Sequence, residues 1–189
     1  MVWEQGPGAG GRVVGLGIAR RAGAPVEAVP AVRAVAGRGL EGDRYFLGTG
    51  TWQGWPDPQL TLIEEETVAA VAAALGRPLE PLALRRNVVT RGVRLEALIG
   101  QAFRLGDVWV EGIRPCDPCG YLEGLVAPGL KAALAGRGGL RARILTSGII
   151  RVGDPVVVGD PAGPANPPPT RGGSARAAVP WQSVESAEA

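Results

Sequence analysis

The 189-residue chain contains no histidine. Histidine is the usual general base of nucleophilic hydrolases, a frequent zinc ligand and a frequent axial ligand of haem. Its absence excludes a Ser-His-Asp triad, a Cys-His dyad, a histidine-ligated zinc ion and a histidine-ligated haem. Catalysis by this chain would therefore have to use other residue types.

Cysteine is also scarce, and no run of eighteen apolar residues occurs. The two cysteines, Cys116 and Cys119, are too few for the disulfide framework of a small secreted protein. The first twelve residues lack the charged start and the apolar core of a signal peptide. We therefore expect a cytoplasmic protein that does not span a membrane.

Positive and negative charges are nearly balanced, with twenty basic and eighteen acidic residues and a net charge of +2. This balance does not favour nucleic acid or a membrane surface as a partner. All basic residues except Lys131 are arginines, which indicates a general compositional bias. A single arginine is therefore weak evidence, whereas a cluster of arginines would suit bidentate binding of phosphate or carboxylate.

Length and composition predict one folded domain with an irregular segment at each end. Apolar residues make up 46% of the chain, which is enough for a buried core. Residues 1–11 are rich in glycine, and residues 160–189 combine Pro, Gly, Ser and Ala without hydrophobic periodicity, as flexible tails do. Trp181 lies in the second tail, and we expect it to be unpacked. The predicted domain covers residues 12–159.

Short segments with the composition of strands dominate the predicted domain. They are residues 12–20, 28–35, 59–63, 86–90, 102–105, 108–113, 140–145 and 149–158. The clearest helix is predicted at residues 64–75, where acidic residues precede strong helix formers, and a shorter one at residues 128–134. Many short strands with few helices predict a mainly β fold in the form of a closed or partly closed barrel.

Reactive and conformation-setting residues are concentrated in residues 114–120, RPCDPCG, directly after a predicted strand. Two prolines restrict the backbone beside the cysteines, which favours a presented thiol over a merely packed one. Arg114 would favour the thiolate form and Asp117 would oppose it. The alternative interpretation is that Cys116 and Cys119 are ordinary small apolar residues.

The Cys-x-x-Cys spacing also fits a dithiol redox motif or half of a zinc site. The redox motif expects a βαβ setting, which the prolines and the short strands do not provide. A four-coordinate zinc ion needs two more ligands, and the chain has neither histidine nor a third cysteine to supply them. Both interpretations are therefore disfavoured.

Two other motifs place arginines next to turns. One is GLEGDR at residues 39–44, and the other is RRN at residues 85–87. Such groups can bind a phosphate and the polar edge of a heterocycle through charge-assisted hydrogen bonds. Each motif alone is equally consistent with solvated arginines, so their joint occurrence carries the prediction.

In their order along the chain, these motifs resemble the MOSC family, which is named for the C-terminal domain of molybdenum cofactor sulfurase. The resemblance runs through GLEGDR at residues 39–44, QLTLIE at 59–64, RRN at 85–87 and LIGQAFRLGDVWVEG at 98–112. It continues through PCGYLE at residues 118–123 and RARILTSGIIRVGDPV at 141–156. These segments span nearly the whole predicted domain, and the family fold is a β-barrel with added helices.

The resemblance implies a role for the molybdenum cofactor. Cys119 would be the thiolate ligand of molybdenum or the carrier of a persulfide, since soft sulfur suits both roles. Arg44, Arg85, Arg86 and Asn87 would lie near the phosphate and pterin ends of the cofactor. Where the family often continues GDR with His and Gly, this chain has YFLG at residues 45–48, which leaves the substrate undefined.

Three functions are consistent with these observations. The first is a molybdenum-dependent reductase of N-hydroxylated compounds, supplied with electrons by a separate reductase because the chain has no flavin motif and too few cysteines for an iron-sulfur cluster. The second is a sulfur carrier or sulfurtransferase that receives sulfur on Cys119 from a cysteine desulfurase. The third is a non-catalytic module that delivers the cofactor to another protein.

Overall fold

The fold is that of a computed structural model, which describes residues 11–54 and 59–159. The strands are β1 (Gly11–Ile18), β2 (Glu27–Ala28), β3 (Ala31–Val35), β4 (Gly39–Leu40), β5 (Leu60–Glu64), β6 (Val88–Arg91), β7 (Ala102–Leu105), β8 (Val108–Pro115), β9 (Leu140–Ile144), β10 (Gly148–Arg151) and β11 (Pro155–Val158). The helices are α1 (Glu65–Ala74), α2 (Gly120–Val126) and α3 (Leu130–Ala133), with short 3₁₀ helices at Pro81–Leu84 and Leu95–Leu98.

Seven strands form a closed barrel in the order β11-β7-β8-β9-β5-β6-β1, and β1 pairs again with β11. The pairs within the barrel are antiparallel except for β5 and β6, which run parallel. β2 extends the sheet from β1, and β3 pairs with β10 and β4 in a second small sheet. The predicted mainly β barrel with a few short helices is confirmed.

The core has two parts, one inside the barrel and one beneath the helices. β8 alternates buried and half-buried residues over Val108–Ile113, since one of its faces points into the barrel, where Phe103 is fully buried. β5 is buried at four consecutive positions because Ile63 belongs to a second cluster with Val68, Val71 and Leu122. Helices α1 and α2 thus cover the outer side of β5, and α2 is fixed next to the barrel wall.

Most predicted elements are present with shifted ends, but one predicted strand is divided in two, and helix α2 and some shorter elements were not predicted. The predicted strand at residues 149–158 is two strands, β10 and β11, because the chain turns at Gly153 with φ of 95°. The predicted extended stretch at residues 28–35 was expected to be interrupted at Pro30, and the structure has this interruption, since β2 ends at Ala28 and β3 starts at Ala31. Helix α2 was not predicted because its seven residues, GYLEGLV, include two glycines.

The two predicted tails fall on residues that the structure does not describe, apart from Gly11, which belongs to β1. Trp181 also lies outside the described residues. Within residues 11–54 and 59–159, no helix is long and apolar enough to cross a membrane.

Candidate functional site

A narrow cleft with a cavity volume of about 60 Å³ lies on the outer side of the barrel wall, where β5 and β9 meet α2. Its walls come from distant parts of the chain and include Arg44, Tyr45, Thr61, Arg85, Arg86, Cys116, Asp117, Cys119, Tyr121 and Arg141. Both cysteines and four arginines therefore reach a single cavity. The structure thus brings together the cysteine segment and the two arginine motifs, which are separated in sequence.

The two thiols of the cleft differ in exposure. Cys119 is half-buried and immediately precedes α2, and Glu123 donates its N–H to the Cys119 carbonyl at 3.2 Å. Cys116 is only 1% exposed, so its thiol is packed, not presented. Both cysteines are free thiols. Cys119 is therefore the sulfur that a ligand in the cleft can reach.

Arg86 anchors the cysteine segment, residues 114–120, to neighbouring parts of the chain. Its guanidinium is buried and donates to three carbonyl oxygens, from Nε to Gly138 (2.8 Å), from Nη1 to Leu84 (3.1 Å) and from Nη2 to Cys116 (2.9 Å). The N–H of Cys116 also donates to the Gly139 carbonyl at 2.8 Å. Arg86 therefore joins three chain segments, and its partners among the described residues are carbonyl oxygens and not carboxylates.

Asn87 and Asp43 form a second buried network. The Asn87 side chain accepts from the Thr61 hydroxyl (2.9 Å) and donates to the Gly17 carbonyl and to Asp43 Oδ2, both at 3.2 Å. Asp43 Oδ2 also accepts from the Ala19 N–H (3.1 Å), and Asp43 Oδ1 accepts from the Tyr45 N–H (3.2 Å). The network fixes the turn that carries Arg44 onto β1 and β5. Asn87 does not itself line the cleft.

Arg44 and Arg85 line the cleft from two sides. Arg44 is buried, forms an ion pair with Asp43 (Nη1 to Oδ2, 3.1 Å) and lies over the Tyr45 ring, 4.8 Å from its centroid. Arg85 is half-buried and donates from Nη1 to the Ala24 carbonyl at 2.6 Å. Burial lowers the pKa of Arg85 below its usual value, and the nearby charge of Arg44 lowers it further. The two cations therefore repel each other, which a bound anion would relieve.

Arg141 also lines the cleft, and we did not predict it from the sequence. Its Nε is buried and has no hydrogen-bond partner among the described residues. Arg141 lies on β9, opposite Thr61 of β5 and Arg114 of β8. A buried N–H without a partner costs free energy, so this group is suited to a ligand acceptor. The sequence gives no signal for it, because Arg143 occupies an equivalent alternating position in the same strand.

The charges around the cleft favour an anion. The described residues that line the cleft include four arginines and one acidic residue, the exposed Asp117. Arg44 already has a counter-ion in Asp43, whereas Arg86 is bonded to carbonyls. Arginine forks suit oxyanions such as phosphate, and a thiolate is a soft ligand for a transition metal. The cleft can therefore hold an anionic molecule against the sulfur of Cys119.

Gly138 packs closely against the cysteine segment, so a substitution there tests how this segment is positioned. A Cβ at Gly138 would lie 2.3 Å from the Cys116 carbonyl oxygen and 3.1 Å from Cδ of Pro118. We expect Gly138→Ala to displace this segment and to lower the free energy of unfolding by about 2 kcal/mol. Urea unfolding measures the loss, and the rate at which iodoacetamide modifies Cys119 is expected to change with it.

Gly124→Ala is the matched control for this variant. Gly124 lies inside α2, and a Cβ there would meet nothing within 4 Å. We expect this change to be neutral or to stabilise the protein by up to about 1 kcal/mol. Equal stability and equal Cys119 reactivity in the two variants would show that Gly138 does not position the segment.

Fold and site together define a small closed-barrel protein that carries a half-buried thiol in an arginine-lined cleft. The model of the MOSC domain matches residues 49–157, more than half of the chain. The chain belongs to the MOSC domain family, which is associated with the molybdenum cofactor. No curated protein matches the sequence significantly.

Solved structures with the same fold include three bacterial proteins. YuaD from Bacillus subtilis has a TM-score of 0.68 and 20% identity, over 78% of this chain and 94% of its own. YiiM from Geobacillus stearothermophilus has a TM-score of 0.64 and 20% identity, over 79% and 75%. YiiM from Escherichia coli has a TM-score of 0.60 and 20% identity, over 79% and 70%. At this identity the likeness shows the fold alone.

The residues of the cleft fit the cofactor that the family implies. The unpartnered Nε of Arg141 and the excess of arginines suit its phosphate, and the thiol of Cys119 suits its metal. The described residues include no group of three or more Cys, Asp or Glu side chains that would hold a metal ion by themselves. A metal that arrives within a cofactor needs only one protein ligand, so the donor set is sufficient.

Proposed function

We propose that this protein binds the molybdenum cofactor in the Cys119 cleft and acts as a reductase of N-hydroxylated compounds. The observation that carries the proposal is the convergence of Cys119 with Arg44, Arg85, Arg86 and Arg141 on one cavity. When bound, the cofactor supplies a redox-active metal that can reduce an N–O bond. A separate reductase would supply the electrons.

In this proposal, the protein residues have distinct roles. Arg44, Arg85 and Arg141 would bind the anionic part of the cofactor through N–H groups that face the cleft. Arg86 and Asn87, which are bonded within the protein, would position the cysteine segment and the Arg44 turn. Cys119 would bind molybdenum through its thiolate. The family resemblance implied that Arg86 and Asn87 lie near the cofactor. In this proposal they support the residues that contact it.

The test is the metal and pterin content of protein purified from cells that make the cofactor. We expect molybdenum and the fluorescence of oxidised pterin in the wild type and in Cys116→Ser, and at least a tenfold loss of molybdenum in Cys119→Ser. Cys116→Ser is the matched control because it removes a thiol three residues away. Equal molybdenum in both variants would refute the role of Cys119.

A second candidate function is sulfur transfer, which the half-buried position of Cys119 among cations supports. The Cys119 thiolate would attack the outer sulfur of a persulfide on a cysteine desulfurase. The sulfur–sulfur bond of the donor would break, its thiolate would leave, and Cys119 would carry the persulfide without net oxidation. Intact mass would then increase by one sulfur atom in the wild type and not in Cys119→Ser.

A further inference from the structure

A second cavity lies beside the cleft, and we call it the trough. It is lined by the loop at residues 23–26, by residues 77–83 and by the end of α2, and its volume is about 570 Å³. Val26 and Leu82 both approach Gly17 at its floor. Leu79, Leu82 and Val126 pack onto the second core cluster, so the floor is rigid and apolar. Leu125, which is 46% exposed, forms one rim.

The trough and the cleft are separated by a ridge that consists of Arg85 and Tyr121. Arg85 lines both cavities. Tyr121 lines the cleft, and its hydroxyl lies 3.4 Å from where a Cβ on Gly23 of the trough would be. Arg85 has φ of 61° and is the only non-glycine residue with positive φ among the described ranges. Such a conformation is unfavourable for arginine, and it is tolerated here on the ridge between two cavities.

The charges of the trough favour a carboxylate over a cation. Arg77 and Arg85 line it, with Glu80 as the one acidic residue among its described lining. Arg85 uses Nη1 for the Ala24 carbonyl, and a guanidinium has five N–H donors in all. Burial is the largest cause that lowers the pKa of Arg85, because a buried cation loses the solvation that water provides. An apolar floor beside such a group matches a molecule with one anionic end.

We propose that the trough is a binding site for anionic amphiphiles, with the carboxylate held by Arg85 and an alkyl chain lying on Val26, Leu79 and Leu125. This site shares Arg85 with the cofactor cleft but does not need Cys119. Its position across the ridge would place the charged end of the amphiphile next to the cleft. Alkyl carboxylates of about eight carbons are the simplest molecules of this class.

Isothermal titration of the full-length protein with octanoate, butyrate and 1-octanol tests the proposal. We expect octanoate to bind at least about tenfold more tightly than butyrate, because burial of each methylene contributes to affinity. We also expect octanoate to bind about tenfold more tightly than 1-octanol, which lacks the carboxylate. Equal affinities of octanoate and butyrate would overturn the apolar part of the proposal.

Three variants assign the binding to the trough. Leu125→Glu is expected to weaken the binding of octanoate at least tenfold. Leu145 is similarly exposed and lies directly after β9, and Leu145→Glu should leave octanoate binding unchanged. Arg85→Gly should reduce the affinity for octanoate to that for 1-octanol. The fold should be kept, since glycine adopts positive φ readily. Equal effects of the two glutamate variants, or no effect of Arg85→Gly, would refute the site.

The outcome is separable from that of the cofactor proposal. Leu125 does not line the cleft, so the molybdenum content of Leu125→Glu is expected to match the wild type. Octanoate binding is likewise expected to persist in Cys119→Ser. A protein without molybdenum that still binds octanoate through Leu125 and Arg85 would refute only the cofactor proposal.

Discussion

Replacement of Asp43 by Asn is expected to lower the free energy of unfolding by about 3 kcal/mol and to weaken anion binding in the cleft. The Asp43 carboxylate is 3% exposed and accepts from Ala19, Arg44, Tyr45 and Asn87. An amide has one acceptor oxygen, so at one of the two carboxylate positions a donor would face a donor. Arg44 would also lose its buried counter-ion.

Urea unfolding with linear extrapolation measures this loss. Asp117→Asn is the matched control, because Asp117 is an exposed aspartate that lines the same cleft. We expect the control to change the free energy of unfolding by less than about 0.5 kcal/mol. Similar stabilities of the two variants would contradict the central role of the Asp43 network.

Replacement of Arg86 by Met is expected to be more damaging, with a loss of about 4 kcal/mol. Methionine keeps much of the apolar stem, but the carbonyls of Leu84, Cys116 and Gly138 would lose their buried donors. This loss is a large fraction of the 5–15 kcal/mol that typically stabilises a domain. The segment that carries Cys119 would also lose its hydrogen bond to Arg86, which lies two residues before β6.

Arg141→Met provides the contrasting variant. The Nε of Arg141 makes no hydrogen bond within the described residues, so we expect a stability change below about 1 kcal/mol. Its retention of molybdenum and pterin should nevertheless fall, because the variant removes a donor that faces the cleft. Thermal unfolding together with metal analysis separates the two effects. Loss of stability in Arg141→Met similar to that in Arg86→Met would contradict this division of roles.

The barrel strands were largely predictable because each has a local signature. The alternation in β8 follows directly from one face pointing inward, and the acidic start and terminal glycine of α1 are helix signals. Helix α2 has no such signature, since packing of Leu122 against the second core cluster stabilises it. Elements that depend on tertiary contacts are the ones that sequence patterns do not reveal.

The candidate site was predictable only in part. The family resemblance indicated Cys119 and the arginine motifs, and the structure places Arg44, Arg85 and Arg86 in the cleft with Cys119. Sequence could not show that Arg86 donates three hydrogen bonds to carbonyl oxygens, since its partners Cys116 and Gly138 are far away in the chain. It also could not separate Arg141 from Arg143, because only the fold brings Glu111 to Arg143 and the cleft to Arg141.

The seam of the barrel has a consequence for biosynthesis. The seam joins β1 to β11 through the pairs Gly11–Val156 and Arg12–Pro155, which come from opposite ends of the domain. A ribosome releases β1 long before β11, so the ring cannot close until nearly the whole domain has emerged. Contacts between such distant residues also slow folding. A nascent chain that stops before β11 would therefore have an open barrel, and a ligand that needs the closed barrel would have to bind after β11 has emerged.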